Sequence, residues 1–220
     1  VKTYERTGKL VVANIGTPDR FCETNPIHRL RLTTPDDIRH LFAKRPRDSN
    51  KGMYGHVLVV GGSPGKSGAP AMSGLGSYRS GAGLVTVAIP RSAPVPARPE
   101  LMTEFLDDNI FDLARNKTVL AVGPGFGTGD EAIRFVKRLY EEAETPGVFD
   151  ADALNALAGA LPSTQKIRVL TPHPGEMGRL IGKSTREVQA DRLGAAQGLA
   201  RDSGAAIVLK GDRTVIAFPD

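Results

Sequence analysis

From about residue 52 onward, short apolar runs alternate with longer stretches of mixed polarity. Residues 56–60, 84–89, 118–122, 147–149, 167–170, 205–209 and 214–218 have strand length and are rich in β-branched side chains. Between most of them lie stretches with helical patterning: 69–80, 108–115, 130–144, 152–158, 175–181 and 185–203. Strands that are apolar on both faces and alternate with helices predict βαβ units and a mostly parallel sheet covered on both sides. Four residues, Lys210 to Arg213, separate the last two strands, so that pair is expected to form an antiparallel hairpin.

The first 51 residues lack this regularity. Residues 9–15 (Lys-Leu-Val-Val-Ala-Asn-Ile) read as one strand before Gly16 and Pro18. Thr34-Pro35-Asp36-Asp37 predicts a helix start, with Thr34 as N-cap and Pro35 at the first helical position. That helix should end near Phe42, and the basic, polar residues 44–51 read as a linker.

Charge and composition narrow the function classes. The net charge of +5 resides in residues 1–51, which carry 11 Lys/Arg against 6 Asp/Glu; residues 52–220 are balanced. With 5% aromatics and no Trp, the chain offers no stacking platform for bases, and no nucleic-acid partner is expected. Its apolar runs are too short for the roughly 20 residues of a membrane helix, and neither a membrane partner nor a signal peptide is expected. Cys22 is the single cysteine, so no intrachain disulfide can form and a cytoplasmic setting is expected. The chain begins at Val1 and stops at Asp220 just past an apolar run, which suggests part of a longer protein.

In open α/β sheets, ligands bind beyond the carboxyl ends of the strands. The residues that follow each predicted strand suit such a site. They are Gly61-Gly62-Ser63, the segment from Gly123 to Thr128, Asp150-Ala151-Asp152, the segment from Thr171 to Glu176, and the segment from Lys210 to Thr214. Gly61 to Ser67 nearly spells a P-loop, but the spacing is one residue short, so a P-loop NTPase is rejected. Asp152 reads as a helix N-cap, and Asp150 as the functional acid of the pair. His173 stands between Pro172 and Pro174, which present its imidazole, and Glu176 follows at a helix start. That pattern suits Mg²⁺ held by one carboxylate and phosphate better than zinc. Lys210, Gly211 and Thr214 put a cation, a flexible residue and a hydroxyl in one turn suited to a nucleotide, and no folded-state partner is expected for the Lys210 charge. An ordinary hairpin turn is the plain alternative.

Taken in order, several strings resemble one family. They are Gly-His-Val-Leu-Val-Val-Gly-Gly-Ser from Gly55, Arg-Ser-Gly-Ala-Gly-Leu-Val-Thr-Val-Ala from Arg79, and Gly-Pro-Gly-Phe-Gly-Thr from Gly123. Asp-Ala-Asp-Ala-Leu-Asn from Asp150, Thr-Pro-His-Pro-Gly-Glu-Met from Thr171 and Leu-Lys-Gly-x-x-Thr from Leu209 complete the set. Together they resemble the nucleotide-dependent NAD(P)H-hydrate dehydratases over about residues 50–220.

The resemblance implies an α/β, ribokinase-like three-layer fold with a mostly parallel sheet. The implied reaction is dehydration of the S epimer of hydrated NADH or NADPH, with ADP or ATP as co-substrate and Mg²⁺ as cofactor. It further implies that Ala69, Gly127 and His173 touch the hydrated dinucleotide. Lys210, Gly211, Asp212, Arg213 and Thr214 would hold the AMP part of the nucleotide, and Glu176 would assist Mg²⁺. A homo-oligomer is expected. The family's Gly-Ser-Gly-Asp segment, with the catalytic Asp, is absent from these residues and expected beyond Asp220, so residues 1–220 alone are expected to be inactive.

Residues 9–18 resemble the end of an NAD(P)HX epimerase domain. The expected organisation is a remnant of that domain over 1–20, a linker with a short helix over 21–51, and a dehydratase domain, incomplete at its C-terminus, over 52–220. The alternatives are a small-molecule kinase of the same fold, acting on a vitamin precursor, and a nucleotide-binding module without catalysis.

Overall fold

A computed structural model describes residues 30–107 and 109–219, with Ala13, Gly16 and Pro18. It divides into two compact units, Val1–Arg47 and Asp48–Asp220. The strand expected over residues 9–15 lies, apart from Ala13, outside the described residues.

In the first unit a short helix, α1 (Pro35–Arg39), continues as a 3₁₀ turn, His40–Phe42. Pro35 occupies the first turn, where its missing N–H costs nothing. The Asp37 carboxylate accepts the Thr34 N–H at 2.6 Å and the Thr34 hydroxyl at 2.8 Å, closing the start of the helix. These bonds hold the Asp37 carboxyl below its usual range.

The second unit is built on an eight-stranded sheet in the order β3-β2-β1-β4-β5-β6-β7-β8. The strands are β1 (His56–Val60), β2 (Leu84–Ile89), β3 (Met102–Phe105), β4 (Val119–Val122), β5 (Gly147–Phe149), β6 (Arg168–Leu170), β7 (Ala206–Leu209) and β8 (Val215–Ala217). All neighbours run parallel except β7 and β8, which form the expected hairpin. The seven strands read from the sequence are present with small shifts at their ends. β3 is an addition, an edge strand that pairs only with β2 and is largely exposed.

The connecting helices are α2 (Gly68–Arg79), α3 (Ile110–Arg115), α4 (Asp130–Glu142), α5 (Asp152–Leu157), α6 (Pro174–Ile181), α7 (Thr185–Ala190) and α8 (Arg192–Ser203). The single helix expected over 185–203 is thus two, broken at Asp191, whose φ of −141° and ψ of 77° are not helical. Asp108, the expected start of α3, lies outside the described residues.

Helices cover both faces. On one face Leu58, Leu120, Phe149, Leu170 and Ile207 pack with Leu139 of α4, Leu154 of α5, Met177 of α6 and Leu199 of α8. Burying each such side chain contributes roughly 1.5–3 kcal/mol. On the other face Val59, Val85, Val87 and Ile89 pack with Ala71 of α2. Gly74 lets α2 lie close to the sheet, because a Cβ there would fall 2.8 Å from a Leu101 methyl. That close fit accounts for Gly74 alone among the glycines of α2, since a Cβ on Gly68 or Gly76 would meet nothing within 4 Å. Among the described residues, no helix is long and apolar enough to cross a membrane.

Candidate functional site

Parallel pairing brings the carboxyl ends of β1, β4, β5, β6 and β7 to one edge, and backbone bonds continue the ladder into the loops that follow. Gly62 N–H donates to Pro124 O (2.9 Å), Gly123 N–H to Val60 O (2.9 Å), and Asp150 N–H to Val122 O (3.0 Å). Thr171 N–H donates to Phe149 O (3.2 Å) and Lys210 N–H to Pro172 O (2.8 Å). The Ser63 hydroxyl adds a bond to Gly125 O at 2.9 Å. Gly123 is needed at the junction. Its φ is +117°, and a Cβ there would run into the Asp150 carbonyl.

Two groups of side chains stand at this edge. The first joins β5, β6 and β7. Lys210 Nζ lies 2.8 Å from Asp150 Oδ1 and 3.9 Å from Glu176 Oε2. Lys210 therefore has folded-state partners, contrary to the sequence expectation. The acids reach it because Asp150 follows β5, two strands from β7, and Glu176 lies in the first turn of α6 after β6, at the same edge of the sheet as the end of β7. The Glu176 carboxylate is 8% exposed, and its Oε2 accepts the His173 N–H at 2.8 Å. His173 Nδ1 in turn accepts the N–H groups of Gly175 (3.0 Å) and Glu176 (3.3 Å). His173 thus serves as the N-cap of α6 while half of its side chain remains exposed to solvent. The flanking prolines fix its backbone, and the cap fixes its ring.

The second group joins β1, β4 and β5. Asp152 Oδ2 accepts the Gly127 N–H at 2.8 Å and lies 3.7 Å from Lys66 Nζ. The sequence made Asp152 the N-cap of α5. The structure corrects this, because Ala151 takes that position and Asp152 is the first helical residue. Its carboxylate is drawn instead to the glycine loop after β4. Ala69, at the start of α2, borders the same loop, since a Cβ on Gly125 would lie 3.1 Å from the Ala69 Cβ.

Ala151 connects the two groups, with a φ of +53° that a non-glycine residue rarely adopts. Such a conformation costs on the order of 1–3 kcal/mol and is typical of functional turns. Here the sharp turn aims Asp150 at Lys210 and Asp152 at Gly127.

Of the residues expected to hold nucleotide, Lys210 joins the first group. Gly211 and Thr214 close the turn, with the Thr214 hydroxyl donating to Gly211 O at 3.3 Å. Asp212 and Arg213 lie on its exposed side. The sequence reading missed Lys66 and Arg192; the latter binds three carbonyls of this turn and its approach. A cavity of about 580 Å³ lies at the opposite ends of the strands, between α2 and Tyr54, His56 and Val148, and contains none of these residues.

The family model for NAD(P)H-hydrate dehydratase matches residues 57–220. The chain belongs to the NAD(P)H-hydrate dehydratase family. It is 40% identical to the bifunctional NAD(P)H-hydrate repair enzyme Nnr of Moorella thermoacetica, over 97% of this chain and 44% of that protein. The chain therefore spans less than half the length of that relative. The crystal structure of the ADP/ATP-dependent NAD(P)H-hydrate dehydratase from Bacillus subtilis, co-crystallised with ATP/Mg²⁺, superposes with a TM-score of 0.73. It shares 32% identity, covering 85% of this chain and 69% of that one. A ribokinase-like superfamily protein from Enterococcus faecalis superposes with a TM-score of 0.74 at 28% identity, covering 84% of this chain and 68% of that one. The α/β, ribokinase-like fold expected from the dehydratase resemblance is the fold of this chain.

Proposed function

We propose that this protein uses ADP or ATP to dehydrate the S epimer of hydrated NADH or NADPH, restoring the reduced cofactor. Family membership and the convergence of Lys210, Asp150, Glu176 and His173 at one sheet edge support the reading. Ala69, Gly127 and His173 would contact the hydrated dinucleotide. Lys210, Gly211, Asp212, Arg213 and Thr214 would hold the AMP part of the nucleotide. The same reading takes residues 1–20 as the end of an epimerase domain, 21–51 as a linker and 52–220 as dehydratase. A cytoplasmic setting and a homo-oligomer belong to it as well, the former in keeping with a single cysteine.

Mg²⁺ fits this donor set. Two hard carboxylates, Asp150 and Glu176, already converge on a cation, the Lys210 ammonium. Among the described residues no group of three His, Cys, Asp or Glu side chains could hold a metal ion by itself. That suits Mg²⁺ carried in on a nucleotide, bound through one or two carboxylates with phosphates and waters as its other ligands. Once bound, it would neutralise charge on the phosphates.

In the implied chemistry the hydroxyl of the hydrated ring gives up its proton to a base and attacks the terminal phosphoryl group of the nucleotide, breaking the bridging P–O bond and releasing AMP from ADP or ADP from ATP. The lone pair of the ring nitrogen then expels phosphate to leave an iminium ion, and loss of a proton from the carbon next to the iminium carbon forms the ring double bond and neutralises the nitrogen. The described residues would orient the partners, with Lys210 offering its ammonium to phosphate oxygen.

The test is recovery of NADH absorbance from hydrated NADH by the full-length protein, with ADP or ATP and Mg²⁺. Nucleotide-dependent recovery is expected, and none would overturn the reading. His173 gives a sharper expectation. His173→Asn keeps an acceptor at the N-cap of α6, so stability should hold. KM for hydrated cofactor should rise several-fold, with KM for nucleotide little changed. Steady-state kinetics with each substrate varied checks this, and an unchanged cofactor KM would leave His173 a helix cap only.

A further inference from the structure

The break between α7 and α8 has no glycine or proline within it, although Gly194 just beyond it leaves room for the Asp191 carboxylate, which a Cβ there would run into. Val188 to Leu193 reads Val-Gln-Ala-Asp-Arg-Leu, a run that could continue as helix. Asp191 leaves helical geometry nonetheless, and its carboxylate caps the new helix by accepting the Gly194 N–H at 2.9 Å. The interruption puts Arg192 at the first position of α8. A cation is disfavoured there by the helix dipole. The gain lies in what the guanidinium reaches. Nη1 donates to Asp212 O, and Nη2 donates to Leu209 O (3.1 Å) and Lys210 O (3.3 Å).

We propose that Arg192 is a positioning residue for the nucleotide, holding the turn from Lys210 to Thr214 in its binding shape through three main-chain carbonyls. The inference rests on the nucleotide reading of that turn given above. Gly211 has a φ of +147°, and a Cβ there would lie 2.8 Å from Arg192 Nη2. The turn and the guanidinium are therefore fitted to one another. Arg192 makes no ion pair among the described residues, so its planar fork is spent on carbonyls alone. A lysine could bond one or two of them but could not span Leu209 and Asp212 in one plane.

The test is ADP titration by calorimetry on the full-length protein, beside melting curves without nucleotide. The variants are Arg192→Met, Arg192→Lys and Lys210→Met. Loss of preorganisation should weaken ADP binding about tenfold in Arg192→Met. Arg192→Lys should fall between Arg192→Met and the parent protein. Amide exchange at residues 211–214 should quicken in both, which a purely helix-capping role would not produce. If Lys210→Met loses ADP affinity while both Arg192 variants keep it, the positioning role is overturned and the nucleotide reading stands. Undiminished affinity in all three would overturn the nucleotide reading and this inference with it. Should Arg192→Met fail to fold, Arg192→Lys decides by the same measure: reduced affinity supports the role, and parental affinity overturns it.

Discussion

Arg168→Ala should destabilise the protein by about 3–5 kcal/mol, a large part of the 5–15 kcal/mol typical of a domain. Arg168 is 2% exposed at the start of β6. Its Nε donates to Tyr140 O at 2.9 Å, its Nη1 to Thr145 O at 3.0 Å and Ile167 O at 3.1 Å, and its Nη2 to Ala143 O. Tyr140 and Ala143 belong to the end of α4 and the residue after it, where carbonyls have no partner within the helix. The guanidinium supplies those partners and places positive charge at the negative end of the helix dipole. It lies 5.8 Å from the centres of both the Tyr140 and Phe149 rings. Burial draws the Arg168 pKa down and pushes the Tyr140 phenol up to about 12.

Removing the side chain takes the guanidinium donors from the Tyr140, Ala143 and Thr145 carbonyls, while Ile167 O keeps the Gly147 N–H at 3.0 Å, and it opens a cavity beside the two rings. Arg168→Met separates the terms, since it fills much of the space and restores no hydrogen bond. It should lose most of the same stability. Urea unfolding checks both variants, with a lower midpoint expected at an unchanged m-value. A shift of less than about 1 kcal/mol in both would show that water satisfies the carbonyls as well as Arg168 does.

The fold was legible where burial on both faces of the sheet leaves continuous apolar runs. The runs at 56–60, 84–89 and 147–149 coincide with the observed strands. Met102–Phe105 was not legible, because an edge strand exposed on both sides has neither a continuous apolar run nor clean alternation. The break at Asp191 escaped for a different reason. No residue there forbids helix, and the break coincides with the Asp191 cap on Gly194 and with the tertiary contacts of Arg192.

At the candidate site, the loops could be placed from strand ends alone, because a parallel sheet sends them all to one edge. Partners could not. Lys210 and Asp150 are 60 positions apart, and nothing local to either marks the other. Asp152 shows the opposite limit. Its position suits an N-cap, yet the Gly127 N–H, 25 positions away, holds its carboxylate.

The contact between Lys210 and Asp150 changes what Lys210→Met should do. With an isolated lysine, only nucleotide binding would respond. Here the substitution also breaks a 2.8 Å ion pair whose side chains are 41% and 40% exposed. A pair that open to water contributes about 0–1 kcal/mol, so melting without nucleotide should fall only slightly. The methionine keeps most of the apolar stem, which limits the packing loss. The nucleotide response should be larger. One charge-assisted hydrogen bond to phosphate is worth about 1.5–3 kcal/mol, roughly a tenfold to hundredfold loss of affinity. Asp150 and Glu176 would also meet the phosphates without an intervening cation, which adds in the same direction. Calorimetric titration of ADP and ATP on the full-length protein, beside melting curves of parent and variant, separates the two effects. Equal affinities with a lower melting temperature would make the turn a structural hairpin, with Lys210 serving only to tie β7 to the end of β5.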